Sequence, residues 1–180
     1  MSRTKRSCSN HRFFLRERMV LLGIAIEQLR SEIPKLNEYI VGVDAASDEN
    51  AMEPWMFSPA YLAMRSKKVT RPVGVERTAN RNGYYNIQNM GFTYHVGEDY
   101  RHIVSGLRHI DEVIERFFYK PGDRLGHALA LGLDIKRWIQ DTEAVAMPVQ
   151  EHMENLLWIW GKGIEGEIEL PVPMERLEEK

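Results

Sequence analysis

The sequence predicts an α/β fold with about three parallel strands and flanking helices. Short apolar runs alternate along the chain with longer segments of helical spacing, which is the pattern of βαβ units. Clusters of acidic and histidine side chains come at or just after the apolar runs. Because functional groups of parallel sheets gather at the carboxyl ends of the strands, we expect these clusters to share one edge.

The chain begins with a helix predicted over 12–32, where apolar side chains recur every three to four residues. These side chains are Leu15, Met19, Leu22, Ile26 and Leu29. The apolar run over 20–26 superficially resembles a signal peptide, but Glu27 and Gln28 follow where cleavage needs small residues. We interpret the run as the buried face of the helix, within an N-terminal basic segment over 1–37.

Three strands are predicted after this helix. The β-branched run over 39–43 is expected to be buried, Gly91–Val96 is the second strand, and 124–131 is a third strand or strand–loop junction. Further helices are predicted over 57–65 with Ser58 as N-cap, 100–118 with Ile103, Leu107, Ile110, Ile114 and Phe117 on one face, 135–140, and 150–160 ended by Gly161. The polar stretch before residue 90 is predicted to be a loop.

Composition excludes several classes of protein. The 180 residues are 43% hydrophobic and 28% charged, which is typical of a soluble globular domain. The net charge of −2 gives no reason to expect nucleic acid or a membrane as partner, and we interpret the basic start as a solvated helix face. Cys8 is the only cysteine, so an internal disulfide is excluded and a cytoplasmic location is expected.

Three motifs coincide with the strand regions, in the order I-V-G-V-D-A-A-S-D-E at 40–49, T-Y-H-V-G-E at 93–98 and R-L-G-H-A at 124–128. Together they resemble the fourth, fifth and sixth strand motifs of the adenosine deaminase-like family of the metal-dependent amidohydrolase superfamily. His95 and His127 lie 32 positions apart, about one βα unit. The flanking residues look closer to a divergent bacterial branch that includes the deaminase of the RADAR anti-phage systems.

The resemblance implies a partial (β/α)8 barrel of the TIM type over 38–160, since a complete barrel takes about 250 residues. It also implies zinc-dependent hydrolytic deamination at C6 of a purine nucleoside or nucleotide. His95 would be a zinc ligand, Glu98 would protonate N1 of the purine, and His127 would orient the attacking water or accept its proton. Asp44 and Ser47 would contact the purine.

The sequence departs from the family pattern in residues that affect both substrate and metal. Ser47 and Ala128 stand where the family has glycine, and Val96 replaces an alanine. The H-x-H of strand one is missing, and no aspartate stands where strand eight would supply one. One imidazole cannot hold zinc usefully. We therefore expect a central fragment that is inactive alone and needs missing barrel segments from another chain, or self-association.

Two functional hypotheses remain open. The first is a fragment of a zinc-dependent adenosine or adenine-nucleotide deaminase. The second is a non-catalytic interaction or assembly module derived from such an enzyme, using the purine pocket or the tryptophan-rich helix. Asp44, Asp48 and Glu49 are expected to cap the following segment and to line the edge of a pocket, with a carboxylate metal site as the alternative. His102 and His109 are expected to face solvent. The acidic residues 161–180 are expected to form a flexible tail.

Overall fold

A computed structural model describes residues 8–33, 35–46, 48–66 and 90–169. Over these ranges the fold is α/β, with a three-stranded parallel sheet in the order β1–β2–β3. The strands are β1 (Gly42–Ala45), β2 (Gly91–Val96) and β3 (Arg124–His127). The helices are α1 (Cys8–Glu32), α2 (Leu36–Tyr39), α3 (Ser58–Ser66), α4 (Ile103–Arg116), α5 (Ile135–Asp141) and α6 (Val149–Ile164). Most of the loop predicted before residue 90 lies outside the described residues.

The central strand β2 alternates between a buried and a partly open face, as a pleated strand does. Its buried side chains pack against α3 and α4, and together they form the core: Phe92, Tyr94, Val96, Tyr61, Met64, Ile110, Val113, Phe117 and Ala130. Thr93 and His95 lie on the opposite face, where the register pairs His95 with Gly126. The predicted bounds of this strand are confirmed.

Strand β1 begins later than the sequence predicts. The run predicted as a buried strand over 39–43 starts in α2, and Tyr39 is 77% exposed. Pairing with β2 begins at Gly42. A Cβ atom on Gly42 would lie 3.0 Å from the Gly91 carbonyl oxygen. Val41 is also exposed, because β1 is an edge strand with one neighbour among the described residues. The prediction of a buried strand here is wrong.

Helix α1 is confirmed, but its buried face differs from the prediction. Leu22 and Leu29 are exposed, whereas Gly23 is buried against α3. A Cβ atom on Gly23 would lie 3.0 Å from Met64 Cγ, so the missing side chain permits the close approach of the two helices. Glu27 and Arg30 are also buried and form a salt bridge of 2.9 Å. Leu15, Met19 and Ile26 of the predicted stripe are partly buried. Close packing at Gly23 and the buried charge pair take the place of Leu22 and Leu29.

Helices α4, α5 and α6 agree with the predicted segments, with two differences. Ile114 of α4 is exposed and Val113 is buried instead. Helix α6 continues past Gly161, where the sequence predicts its end, to Ile164. Its final turn is held by Lys162, whose Nζ lies 3.1 Å from Asp111 Oδ1. Residues 170–180 of the predicted tail lie outside the described residues. In the part of the chain that is described, no helix has the length and apolarity to cross a membrane.

Candidate functional site

The carboxyl ends of the three strands bring four polar side chains together. His95 Nδ1 lies 3.0 Å from Asp44 Oδ1, and His127 Nε2 lies 3.0 Å from Glu98 Oε2. The ring centroids of His95 and His127 are 5.2 Å apart, with an angle of 58° between the planes. Asp44, His95, Glu98 and His127 therefore converge at one edge of the sheet, which is the geometry that the sequence predicts.

His95 occupies the open face of β2 above a glycine of the neighbouring strand. A Cβ atom on Gly126 would lie 2.5 Å from His95 Cδ2, so a side chain at position 126 is incompatible with this ring position. Asp44 fixes the ring through Nδ1. When Nδ1 donates to this carboxylate, Nε2 is left as the nitrogen with a lone pair for a ligand or a proton.

His127 reaches the site because the backbone leaves the strand conformation at this residue. His127 has φ +60° and Ala128 has φ +51°, both in the left-handed region that non-glycine residues rarely adopt. Ala128 N donates to the carbonyl oxygens of Val96 at 3.0 Å and Gly126 at 2.8 Å. Strained residues of this kind cluster at functional sites, where surrounding contacts hold them.

Glu98 stands on a turn that the loop after β1 holds in place. Glu49 accepts hydrogen bonds from Gly97 N at 2.6 Å and from Glu98 N at 2.9 Å. Asp48 acts as the predicted cap, since its Oδ1 accepts from Asn50 N at 2.9 Å. Glu49 lines the edge of a pocket together with Asp44 and Asp48, as predicted, but its carboxylate binds the turn after β2 instead of capping the next segment. The sequence pattern does not indicate this contact, because Glu49 and Gly97 lie 48 positions apart.

A cavity of about 430 Å³ opens beside Asp44 and His95. Its other walls are largely apolar and come from the loop after β1, from β2 and from α1, where they include Leu15, Met19, Met52, Phe57, Tyr94 and Val96. A volume of this size and a mostly apolar lining with a few polar groups are typical of sites for small molecules. Ser47, which the sequence predicts to contact a ligand, lies outside the described residues.

A buried ionic network next to this cavity was not predicted. Arg108 is 1% exposed, and its guanidinium lies 2.9 Å from Glu112 and 3.1 Å from Glu53. His109 is buried as well, with Nε2 2.8 Å from Glu53, so the prediction that it faces solvent is wrong. Burial acts to raise the pKa of Glu53, but His109 and Arg108 outweigh it and hold that pKa below its usual value.

His102 also differs from the prediction of a solvent-facing histidine. Its Nδ1 accepts from Val104 N at 3.1 Å and so caps α4, and its ring meets Trp138 edge to face at 4.9 Å. Partial burial lowers the pKa of His102, and the nearby His152 lowers that pKa further. The residue is a helix cap that depends on a neutral imidazole.

The described side chains near His95 are too few to form a metal centre by themselves. Over the ranges described above, no group of three or more His, Cys, Asp or Glu side chains is arranged to hold a metal ion. A catalytic zinc normally takes three protein ligands, so the described donors do not fit zinc by themselves. No protein-family model matches the chain, and no curated protein matches it either.

Proposed function

We propose that residues 38–160 form part of a (β/α)8 barrel of the adenosine deaminase-like family, in the branch of the RADAR anti-phage deaminases. The proposed reaction is hydrolytic deamination at C6 of a purine nucleoside or nucleotide in the cytoplasm. One observation carries the proposal: the Asp44–His95 pair and the Glu98–His127 pair, each at 3.0 Å, share the carboxyl edge of adjacent parallel strands.

The proposed roles follow from what the reaction requires of acids and bases. Water adds to C6, and the bond from C6 to the amino nitrogen breaks. Glu98 donates a proton to N1, which makes C6 more electrophilic, while His127 holds the water and accepts its proton. The hydroxyl group added at C6 gives its remaining proton to the departing amino group, which leaves as ammonia while C6 becomes a carbonyl carbon. The 3.0 Å contact between Glu98 and His127 allows the proton that His127 took from the water to return to Glu98, which restores the donor.

Zinc binding, as proposed, needs further ligands from outside the described residues. His95 Nε2 is the proposed ligand nitrogen, and Asp44 orients its ring as carboxylates do for metal-binding histidines. The missing donors are proposed to come from further barrel segments, on another chain or through self-association. The free edges of β1 and β3, which have no further partner strand over the described ranges, support such an addition.

The cavity beside Asp44 is the proposed binding site for the purine. Its apolar walls, including Phe57 and Tyr94, suit a flat heterocycle, and the Asp44 carboxylate offers a hydrogen-bond acceptor at its edge. Ser47 follows directly in the sequence and is proposed as a second contact to the base.

The proposal is tested by following deamination in two preparations. The chain is purified alone and also, under gentle conditions, from its own cells with the proteins that accompany it. Adenosine and AMP conversion is measured by ultraviolet absorbance, and zinc content by mass spectrometry. We expect substoichiometric zinc and no deamination from the chain alone, and both zinc and deamination from the assembly.

A matched pair of variants identifies the acid. Glu98→Gln is expected to reduce the rate of the assembly by about a hundredfold or more, because it removes the proton donor. Glu115→Gln, an exposed glutamate near the end of α4 at the opposite edge of the sheet, is expected to leave the rate unchanged. Absence of deamination in both preparations, or full activity of Glu98→Gln, would overturn the proposal.

A non-catalytic interaction or assembly module is the second candidate. It is favoured by apolar side chains that α5 and α6 leave exposed, namely Ile135, Ile139, Val149, Met153 and Leu157. Exposed apolar side chains that form a continuous patch are typical of surfaces that contact another protein. A stable complex from the native cells that contains neither zinc nor deaminase activity would favour this candidate.

A further inference from the structure

The backbone of the turn that contains Glu98 is hydrogen-bonded to one carboxylate from a distant part of the chain. Glu49 Oε2 accepts from Gly97 N at 2.6 Å, and Oε1 accepts from Glu98 N at 2.9 Å. Glu49 is half-buried and belongs to a 3₁₀ turn, Glu49–Ala51, in the loop after β1. Because both oxygens of one charged group bind adjacent N–H groups, the contact fixes orientation as well as distance.

The opposite side of this turn is also fixed by backbone contacts. Ala130 N donates to the Gly97 carbonyl oxygen at 2.9 Å. Gly97 has φ +79°, and a Cβ atom on it would lie 2.6 Å from Ile110 Cδ1. The backbone of the turn is therefore closely confined, and its two N–H groups point toward Glu49.

The contact between Glu98 and His127 cannot by itself hold the two side chains in a fixed position. Their side chains are 41% and 43% exposed, so water screens the attraction between them. Exposed ion pairs contribute little to holding two side chains in one geometry. The position of the Glu98 carboxyl group therefore depends on its backbone, and Glu49 is the side chain that binds the backbone N–H of Glu98.

We infer that Glu49 is a positioning residue that sets Glu98 against His127. This inference rests on the proposed function, because it names the group that places the proposed proton donor. The neighbouring residue Asp48 has a separate role, since its carboxylate caps the 3₁₀ turn by accepting a hydrogen bond from Asn50 N. The two adjacent carboxylates thus offer a matched comparison.

The experiment compares Glu49→Gln with Asp48→Asn in the full chain, since both variants remove one negative charge. Glu49→Gln puts an amide NH2 group against a backbone N–H, and one hydrogen bond is lost. We expect the Gly97 and Glu98 amides to exchange with solvent about tenfold faster, which NMR hydrogen exchange measures. The imidazole nitrogen signals of His127 should move toward those of Glu98→Gln. Asp48→Asn should leave the exchange of both amides and the His127 signals unchanged.

Unchanged exchange of both amides in a folded Glu49→Gln protein would overturn the inference. Should that variant fail to fold, Glu49→Asp keeps the charge with a shorter reach. Faster exchange confined to Gly97 and Glu98 then supports positioning, while faster exchange spread across the whole sheet contradicts it. In a deaminating assembly, we expect kcat to fall about tenfold or more in Glu49→Gln.

The outcomes for Glu49 and for the proposed function are distinguishable. One outcome is faster amide exchange in Glu49→Gln while no assembly shows deamination. That result rejects the proposed function and supports the contact of Glu49 with the turn. Deamination that is unchanged in Glu49→Gln rejects the positioning role and keeps the proposed function.

Discussion

At the scale of single residues, the site depends on the backbone and size of the positions beside its polar side chains. His95 has room because Gly126 has no side chain, and Glu98 follows a glycine that has φ +79°. His127 itself is left-handed, a conformation that costs about 1–3 kcal/mol for a non-glycine residue. Its neighbour Ala128 has the same conformation, where a glycine would be unstrained.

The room beneath His95 gives the first prediction. Gly126→Ala should push the His95 ring away and break its contact with Asp44, because the new Cβ atom would lie 2.5 Å from Cδ2. We expect a loss of about 1–3 kcal/mol in the free energy of unfolding, as for other overpacked positions. Urea denaturation measures the loss, and the imidazole NMR signals of His95 report its displacement.

Gly132→Ala is the control for this prediction, since a Cβ atom there meets nothing within 4 Å. The control should unfold like the parent protein and keep the His95 signals. Equal stability of the two variants would contradict the close packing of His95 on Gly126.

At the scale of elements, the start of α4 depends on an imidazole that must stay neutral. The folded state lowers the pKa of His102 below the ordinary value of 6.5 through burial and His152, while Glu151 acts weakly in the other direction. The stability from this cap is therefore present above pH 6.5 and is lost as the pH falls below it. Thermal unfolding between pH 7.5 and pH 5 should show this loss.

His102→Asn separates the charge from the cap. Asparagine is among the best N-cap residues and does not titrate, so this variant should lose less stability over the same pH range. An identical pH dependence of the two proteins would show that His102 is not the titrating group. His102→Ala should lose about 1 kcal/mol at pH 7.5, because the Val104 N–H would lack its acceptor.

The elements also show what sequence patterns can predict. The bounds of strand β2 are predicted correctly. Other elements cover one face of this strand, so buried and partly open residues alternate along it. Strand β1 is predicted three residues too early, because the apolar run begins in α2 and the observed strand, Gly42–Ala45, is only partly buried. The prediction of the buried face of α1 is partly wrong. Gly23 is small and the Glu27–Arg30 pair is charged, so these buried residues do not contribute to an apolar pattern in the sequence.

At the scale of the whole molecule, a charged network joins parts that are far apart in the sequence. Arg108 of α4 contacts Glu53 in the loop after β1, and it contacts Asn155 and Glu154 of α6. The convergence of His95, Glu98 and His127 could be predicted because strand ends share an edge. This network could not, because helix periodicity assigns charged residues to the surface unless their partners are known.

Removal of the central cation gives the prediction for the whole molecule. Arg108→Met takes the guanidinium away from Glu53 and Glu112, whose side chains are mostly buried, so we expect a loss of about 3–5 kcal/mol in the free energy of unfolding. Arg137→Met removes an exposed cation 3.5 Å from Asp141 and should change stability by less than about 0.5 kcal/mol. Chemical denaturation of both variants checks the difference, and similar losses would contradict the central role of Arg108.

The two left-handed residues that end β3 have a consequence for any strand added beside it. After His127 the chain leaves the strand conformation and is bonded to the end of β2, because Ala128 N and Ala130 N donate to the carbonyl oxygens of Val96 and Gly97. A strand added beside β3 therefore finds its last ladder partner at His127. The His127 side chain is 43% exposed, so its imidazole stays accessible to a small molecule at the point where such a strand would end.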